Sequence, residues 1–188
     1  MTVSRRQFLH ASVASTLLTS LSGQLSSQAI SALGTSGTIP FGARALRAIV
    51  LARQFVETLG HTEIGSMHLL LGMAAEAEES ASPWLDGIGG SANELRDVCH
   101  CLFLAELSES PTSRIDFSDN AHMILSGAQA EALLLQSRSI QPEHILLALI
   151  HYGDCTAHAV LEEMWFEDGV IEHEALSALG YPGDEMTA

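Results

Sequence analysis

The sequence predicts an all-α single domain of eight helices, formed by two four-helix repeats related by a pseudo-twofold axis. Three observations carry that prediction. Apolar residues make up 47% of the 188-residue chain, enough for a real core, while aromatics are only 5% and there are just 15 glycines and 5 prolines. Such a composition disfavours a β-sandwich and leans toward helices. Shifting the chain by 76 residues aligns it with itself. One apolar stripe of helical spacing recurs at that same shift.

The repeat sets the architecture. The shift pairs Phe41 with Phe117, Ala45 with Ala121, Ala52 with Ala128, Leu59 with Leu135 and Ile64 with Ile140. It continues through His68 and His144, Leu70–Leu71 and Leu146–Leu147, Ala81 and Ala157, and Leu85 and Leu161. Those ten identities fall within the 45 positions from Phe41 to Leu85, where unrelated segments would share roughly three. Ala45, Ile49, Ala52, Val56 and Leu59 step by four and three, and Ala121, Leu125, Ala128, Ala132 and Leu135 repeat the steps. Each series is one face of an α-helix. A half of this length buries a meagre core alone, so the two halves are expected to share one.

Helix one is expected from about Gly42 to Leu59, ended by Gly60 at a position that favours left-handed backbone. Ser66 is expected to cap helix two, which carries His68-Leu69-Leu70-Leu71. Ser82-Pro83 opens a short helix three with Pro in its first turn. Ser91-Ala92-Asn93-Glu94 reads as the capping box of helix four, running to about Leu107. A linker follows from Ser108 to Ser113. In the second half Ser118 caps the first helix and Pro142 starts the second. The third covers about Thr156 to Trp165 and the fourth about Asp168 to Leu179.

Charge narrows the function classes. All eight basic residues are arginine, against 23 acids, for a net charge of −15. Without lysine there is no P-loop and no Schiff-base chemistry. The acidic balance disfavours nucleic acid and anionic membranes as partners. No nucleophile motif such as G-x-S-x-G occurs.

The N-terminus reads as an export signal. Ser4-Arg5-Arg6-Gln7-Phe8-Leu9 resembles the twin-arginine translocation motif, and a short, diluted apolar run extends from Phe8 to Leu21. Ser27-Gln28-Ala29 offers small residues for cleavage after Ala29, and residues 1–29 contain no acid. The run is too short and polar for a stable membrane span. Residues 30–39 are a Gly/Ser/Thr-rich lead-in, and residues 40–188 form the domain, with repeat one at about 41–107 and repeat two at about 117–179. The expected location is periplasmic or extracellular, or cytoplasmic if the arginine pair is a coincidence.

The repeated residues also carry a family resemblance. Phe41-Gly-Ala-Arg-Ala45, Leu59-Gly-His61, Ile64-Gly65 and Ser66-Met-His-Leu-Leu-Leu-Gly72 resemble the Clp N-terminal (Clp R) repeat, F-T-x-R-A followed by L-G-H-x-x-I-G-T-E-H-L-L-L-G-L. Phe117-Ser-Asp-Asn-Ala121, Ile140 and Pro142-Glu-His-Ile-Leu-Leu-Ala-Leu149 match it again, with Leu135-Gln-Ser137 and Ile140-Gln141 in place of L-G-H and I-G. The resemblance implies an all-α double repeat that binds substrates or adaptor proteins at the front of a Clp ATPase. It also implies a site. In some members the Thr of F-T-x-R-A and the Glu of T-E-H recognise phosphorylated arginine, one set per repeat. Here those positions are Gly42 and Met67 in the first repeat, and Ser118 and Glu143 in the second. Ser118 and Glu143 are therefore the candidate peptide-binding residues, and both equally fit ordinary helix-start roles.

Other constellations are read as structural. Cys99 falls on an apolar helical face and Cys101 points elsewhere, so Cys99-His100-Cys101 cannot close on one ion while the helix holds. Cys155, His158 and Glu162 share a face near His151, which reads first as a solvated polar face and second as a metal site. His68 and His144 could be paired ligands or bases, but fit better as packed, hydrogen-bonded groups near helix starts. Glu76, Glu78 and Glu79, with Glu162 and Glu163, read as solvated acids. The expectation is thus a non-catalytic module binding a protein or peptide partner, with no cofactor and no catalytic or metal residues. The alternatives are an exported metal-dependent enzyme using the His, Cys and Glu faces, and a structural component docked on a larger assembly.

Overall fold

The 76-residue repeat makes Phe41 equivalent to Phe117 and Ile64 equivalent to Ile140, and in the structure each phenylalanine pairs with the isoleucine of the opposite half. A computed structural model describes residues 39–103, 115–152, 155–164 and 166–181, and the side chains of His100, Leu102, Phe103 and Tyr152 are not among those described. Ile64 pairs with Phe117 in a two-stranded parallel sheet, and Phe41 bridges Ile140, also in parallel. The hydrogen bonds repeat too. Ser118 N–H donates to the Ile64 carbonyl at 3.0 Å, and Gly42 N–H donates to the Ile140 carbonyl at 2.7 Å. Each half thus lends its leading strand to the other, which is the pseudo-twofold relation the repeat implied.

Among the described residues, eight helices surround these crossings. In the first half α1 is Ala43–Leu59, β1 is Glu63–Ile64, α2 is Ser66–Ser80, α3 is Pro83–Gly87 and α4 is Ala92–Phe103. In the second half β2 is Asp116–Phe117, α5 is Asp119–Leu134, α6 is Pro142–Tyr152, α7 is Thr156–Glu163 and α8 is Asp168–Ala178. The helix pairs α1/α2 and α5/α6 form the main packing layer of each half, and α3 and α6 both pack on α8. The apolar stripes lie where their spacing put them: Ala45, Ile49, Ala52 and Val56 are buried, as are Ala121, Leu125, Ala128 and Ala132. One continuous cluster of buried apolar residues draws on both halves. Among the described residues no helix is long and apolar enough to cross a membrane.

Most helix ends follow the sequence chemistry. Gly60 ends α1 with φ 71°, the left-handed backbone a glycine adopts without strain. Ser118 caps α5 by accepting from Ala121 N–H at 3.3 Å. Ser91 Oγ accepts from Glu94 N–H at 3.2 Å, but Glu94 takes the Ser91 hydroxyl proton instead of reaching for the Ser91 backbone. Ser66 departs from expectation: the cap of α2 is Gly65, and Ser66 is the first helical residue. Its hydroxyl is used across the repeat boundary, accepting from Ala157 N–H near the start of α7. The segments expected as the export signal, the lead-in and the Ser108–Ser113 linker lie outside the described residues.

Gly72 marks a close approach of α2 to α1. A Cβ there would lie 2.2 Å from the Ala48 carbonyl oxygen and 2.7 Å from Ala52 N, both on α1. The second half has Ala148 at the equivalent place, so only the first crossing demands glycine. Gly72→Ala must push α1 and α2 apart, and is expected to destabilise the domain by about 3 kcal/mol, read as a lowered midpoint in denaturant unfolding. An unchanged midpoint would contradict so close a crossing.

Candidate functional site

The crossing of the halves decides which residues meet. β2 and the start of α5 lie against the start of α2, so Ser118 and Asn120 face Gly65, Ser66 and Met67 across a cleft of about 300 Å³. His61, Thr62, Glu63 and His68 complete its first-half wall, and Thr156 of α7 closes it from the second half. The starts of α2, α5 and α7 therefore converge on one hollow, and among the described residues Glu63 is the single carboxylate lining it.

The equivalent place in the other half holds a different chemistry. Adding 76 turns Gly65 into Gln141 and Met67 into Glu143, while Ser118 and Asn120 correspond to Gly42 and Arg44. Gln141 lies directly over Gly42, whose absent Cβ would fall 2.5 Å from Gln141 Nε2. Arg44 reaches Glu143 Oε1 at 2.9 Å through Nη1 and binds Glu76 bidentately through Nε and Nη2. Glu143 is 1% exposed and also accepts from Ser82 Oγ at 3.0 Å. One cleft is open, and its counterpart is taken up by its own side chains.

Ser118 and Glu143 are thus not brought together. Ser118 lines the open cleft opposite Met67, while Glu143 sits with Arg44 and Ser82 on the other side of the pseudo-twofold axis. Each place keeps one half of the pair: a hydroxyl without the carboxylate, and a carboxylate without the hydroxyl. Reading the two residues within a single repeat missed this, because the strand exchange pairs the leading motif of one half with the helix start of the other. The expectation of a solvated Glu76 is also corrected. It is 2% exposed, because the Arg44 guanidinium satisfies both its oxygens. Glu79 is exposed and forks with Arg47, and Glu78 accepts from Ala92 N–H at the start of α4.

The histidines hold the helix starts. His68 Nδ1 accepts from Gly65 N–H at 3.0 Å, and His144 Nδ1 accepts from Gln141 N–H at 2.9 Å. Their Nε2 atoms contact His61 Nδ1 at 2.8 Å and Ser137 Oγ at 2.9 Å, again equivalent positions. The imidazole does here what the glutamate of a capping box does, reaching back to the N–H of the residue that precedes the helix. Burial pushes the His68 imidazole down to about 4, with the neighbouring His61 ring adding to the shift. Burial also lowers His144.

The face of Cys155, His158 and Glu162 is solvated only at Glu162, which is exposed. His158 is buried, and its Nε2 binds Asp168 at 3.0 Å, while Cys155 is half-buried against the core. His151 Nδ1 binds Glu131 at 2.8 Å. Cys99 is buried with its thiol pushed up to about 12 by desolvation, and Cys101 is exposed. Among the described residues no group of three or more His, Cys, Asp or Glu side chains is placed to hold a metal ion.

Both depressed imidazoles bear on acid stability. They stay neutral in the fold, whereas the unfolded chain takes up protons in the ordinary histidine range near ~6.5. Their contribution is therefore present above that pH and is lost as pH falls through it, down to about 4 for His68. Unfolding free energy is expected to decline steadily over that window, and His68→Gln should flatten part of the slope. A slope that is the same in the variant would contradict the role given to His68.

Comparison with known proteins agrees with this fold. A ClpB chaperone protein from Oceanobacillus iheyensis is 29% identical over 140 residues, covering 74% of this chain and 17% of the relative. The chain thus spans about a sixth of the length of the curated relative it matches. The N-terminal domain of ClpD from Arabidopsis thaliana superposes with a TM-score of 0.62 at 24% identity, covering 74% of this chain and 96% of that domain. The N-terminal domain of Hsp104 from Candida albicans also gives 0.62, at 16% identity, covering 74% and 91%. These two show the same fold. Residues 9–88, 40–164 and 116–181 match the Clp repeat (R) N-terminal domain, and the chain belongs to that family.

Proposed function

We propose that the chain is a non-catalytic module that binds peptide or protein segments, as the substrate- and adaptor-binding front domain of a Clp ATPase does. The observation that carries the reading is the asymmetry of the two equivalent clefts. The one at Gly65, Met67, Ser118 and Asn120 is open, and its counterpart is closed by Gln141 and Arg44. An open hollow lined by small hydroxyls, an amide and a methionine suits the backbone and side chains of an extended segment.

The test fills the open cleft with the residues of the closed one. Gly65→Gln with Asn120→Arg copies Gln141 and Arg44, and the Cβ added at residue 65 meets nothing closer than 3.6 Å. The probe is reduced, carboxymethylated α-lactalbumin, a permanently unfolded chain, read by biolayer interferometry. The unsubstituted protein is expected to bind it, and the double variant to bind about tenfold more weakly. No binding by the unsubstituted protein would overturn the reading, and equal binding by the variant would remove this cleft from it.

We also propose that the chain is exported through the twin-arginine route, with cleavage after Ala29. The support is the Ser4-Arg5-Arg6-Gln7-Phe8-Leu9 motif, the acid-free segment 1–29 and its short apolar run. Replacing Arg5 and Arg6 by Lys keeps the charge but removes the planar guanidinium pair. The variant is expected to accumulate as uncleaved precursor in the cytoplasmic fraction. Continued processing and export of the Lys-Lys variant would contradict this route.

A further inference from the structure

We propose that the His61–His68 pair is an acid-sensitive latch on the wall of the open cleft, released when the pair takes up a proton. The proposal rests on the binding role of that cleft for its consequence, not for its mechanism. Gly65 N–H donates to His68 Nδ1, so that nitrogen carries no proton. His68 therefore holds its ring proton on Nε2 and donates it to His61 Nδ1. That makes His61 Nδ1 an acceptor as well and leaves the His61 proton on Nε2. Both unprotonated nitrogens of the pair are thus already engaged. A proton added on His61 Nδ1 meets the N–H of His68 head on, and one added on His68 Nδ1 displaces Gly65 N–H. Either way the chain of bonds breaks.

The two rings do not share the consequence equally. His68 is 5% exposed, and burial opposes charge on it. His61 is half-buried and lines the cleft, so it is the ring that can turn into water carrying the proton. It follows Gly60, whose left-handed backbone ends α1, and begins the segment that carries Thr62 and Glu63 along the cleft wall. Its departure unties the His61–Thr62 end of that wall, while Glu63 stays paired with Asp116 in the sheet. The second half lacks the device: Ser137 stands where His61 does, and its hydroxyl can accept from His144 and turn its own proton aside.

The charged surroundings do not oppose the release. From β1 the pair faces Glu63, which can receive the freed imidazolium. From α5 it faces uncharged Ser118 and Asn120, with His122 set against Phe117 beyond them. From α7 it faces Thr156, whose helix-mate His158 is bonded to Asp168. From α1 it meets the Val56 carbonyl, which accepts from His61 N–H, and the nearby Arg53 and Glu57 are paired with each other.

The experiment is amide exchange by NMR on the full chain between about pH 7.5 and 5, expressed as protection so that intrinsic pH effects cancel. The His61 N–H, bonded to the Val56 carbonyl, reports the latch, the Ser137 N–H, bonded to the Ala132 carbonyl, its counterpart, and Leu70 the core. Protection at residue 61 is expected to fall about tenfold more than at Ser137 or Leu70 across that range. In His61→Ser, which copies Ser137, the profile at residue 61 should become as flat as that of Ser137. Residue 61 tracking Ser137 or Leu70 throughout would overturn the latch, as would an unchanged profile at residue 61 in His61→Ser. No ligand enters this measurement, so its failure leaves the binding reading standing, and a failed binding assay leaves the latch to be judged here.

Discussion

The reciprocal pairing of Phe41 with Ile140 and of Phe117 with Ile64 is the constraint on which the rest of the structure depends. Each contact is short, a residue or two of parallel pairing, and its hydrogen bonds contribute little by themselves. Their importance is topological. Each half delivers its leading strand to the other, so the first helix of each half starts from a point fixed by its partner. Ser66 of the first half then supplies a bond to the start of α7 in the second, and Ser82 with Arg44 holds Glu143 at the start of α6. The helix starts of one repeat are completed by groups from the other, and a single apolar core follows.

That exchange also explains how two equivalent places came to differ. Neither cleft is built from one repeat, so a substitution in either half can alter either cleft. Small residues at 65 and 118, with a short amide at 120, leave the first hollow open. Gln141 and Arg44 fill the second, and the buried carboxylates of Glu76 and Glu143 are tolerated there because one guanidinium serves both. The arginine is pinned by three hydrogen-bonded contacts, which gives that side of the domain a fixed surface.

The fold was largely legible in the sequence, for physical reasons that act locally. The stripe from Ala45 to Leu59 and its copy report helical faces directly, and Gly60, Pro83, Ser118 and Pro142 mark boundaries by backbone preference. The site was less legible. Ser118 and Glu143 looked like partners because they lie in one repeat, and only the strand exchange shows that each faces the other repeat. Ser66 looked like a cap because serine usually is one, but Gly65 holds the cap position and the Ser66 hydroxyl accepts from Ala157 N–H of α7. Glu76 looked solvated because the arginine that buries it lies 32 positions earlier. Each miss involves a long-range partner, which no local pattern encodes.

The most direct test of this account is whether the two halves open together. Amide exchange at Leu70 in α2 and Leu146 in α6, both buried in the shared core, can be followed by NMR in increasing sub-denaturing urea. If the reciprocal strands tie the halves into one cooperative unit, both amides will exchange through the same opening, with equal free energies and equal urea dependence. If Leu146 exchanges through an opening that leaves Leu70 protected, or the reverse, the halves fold independently and the account is contradicted.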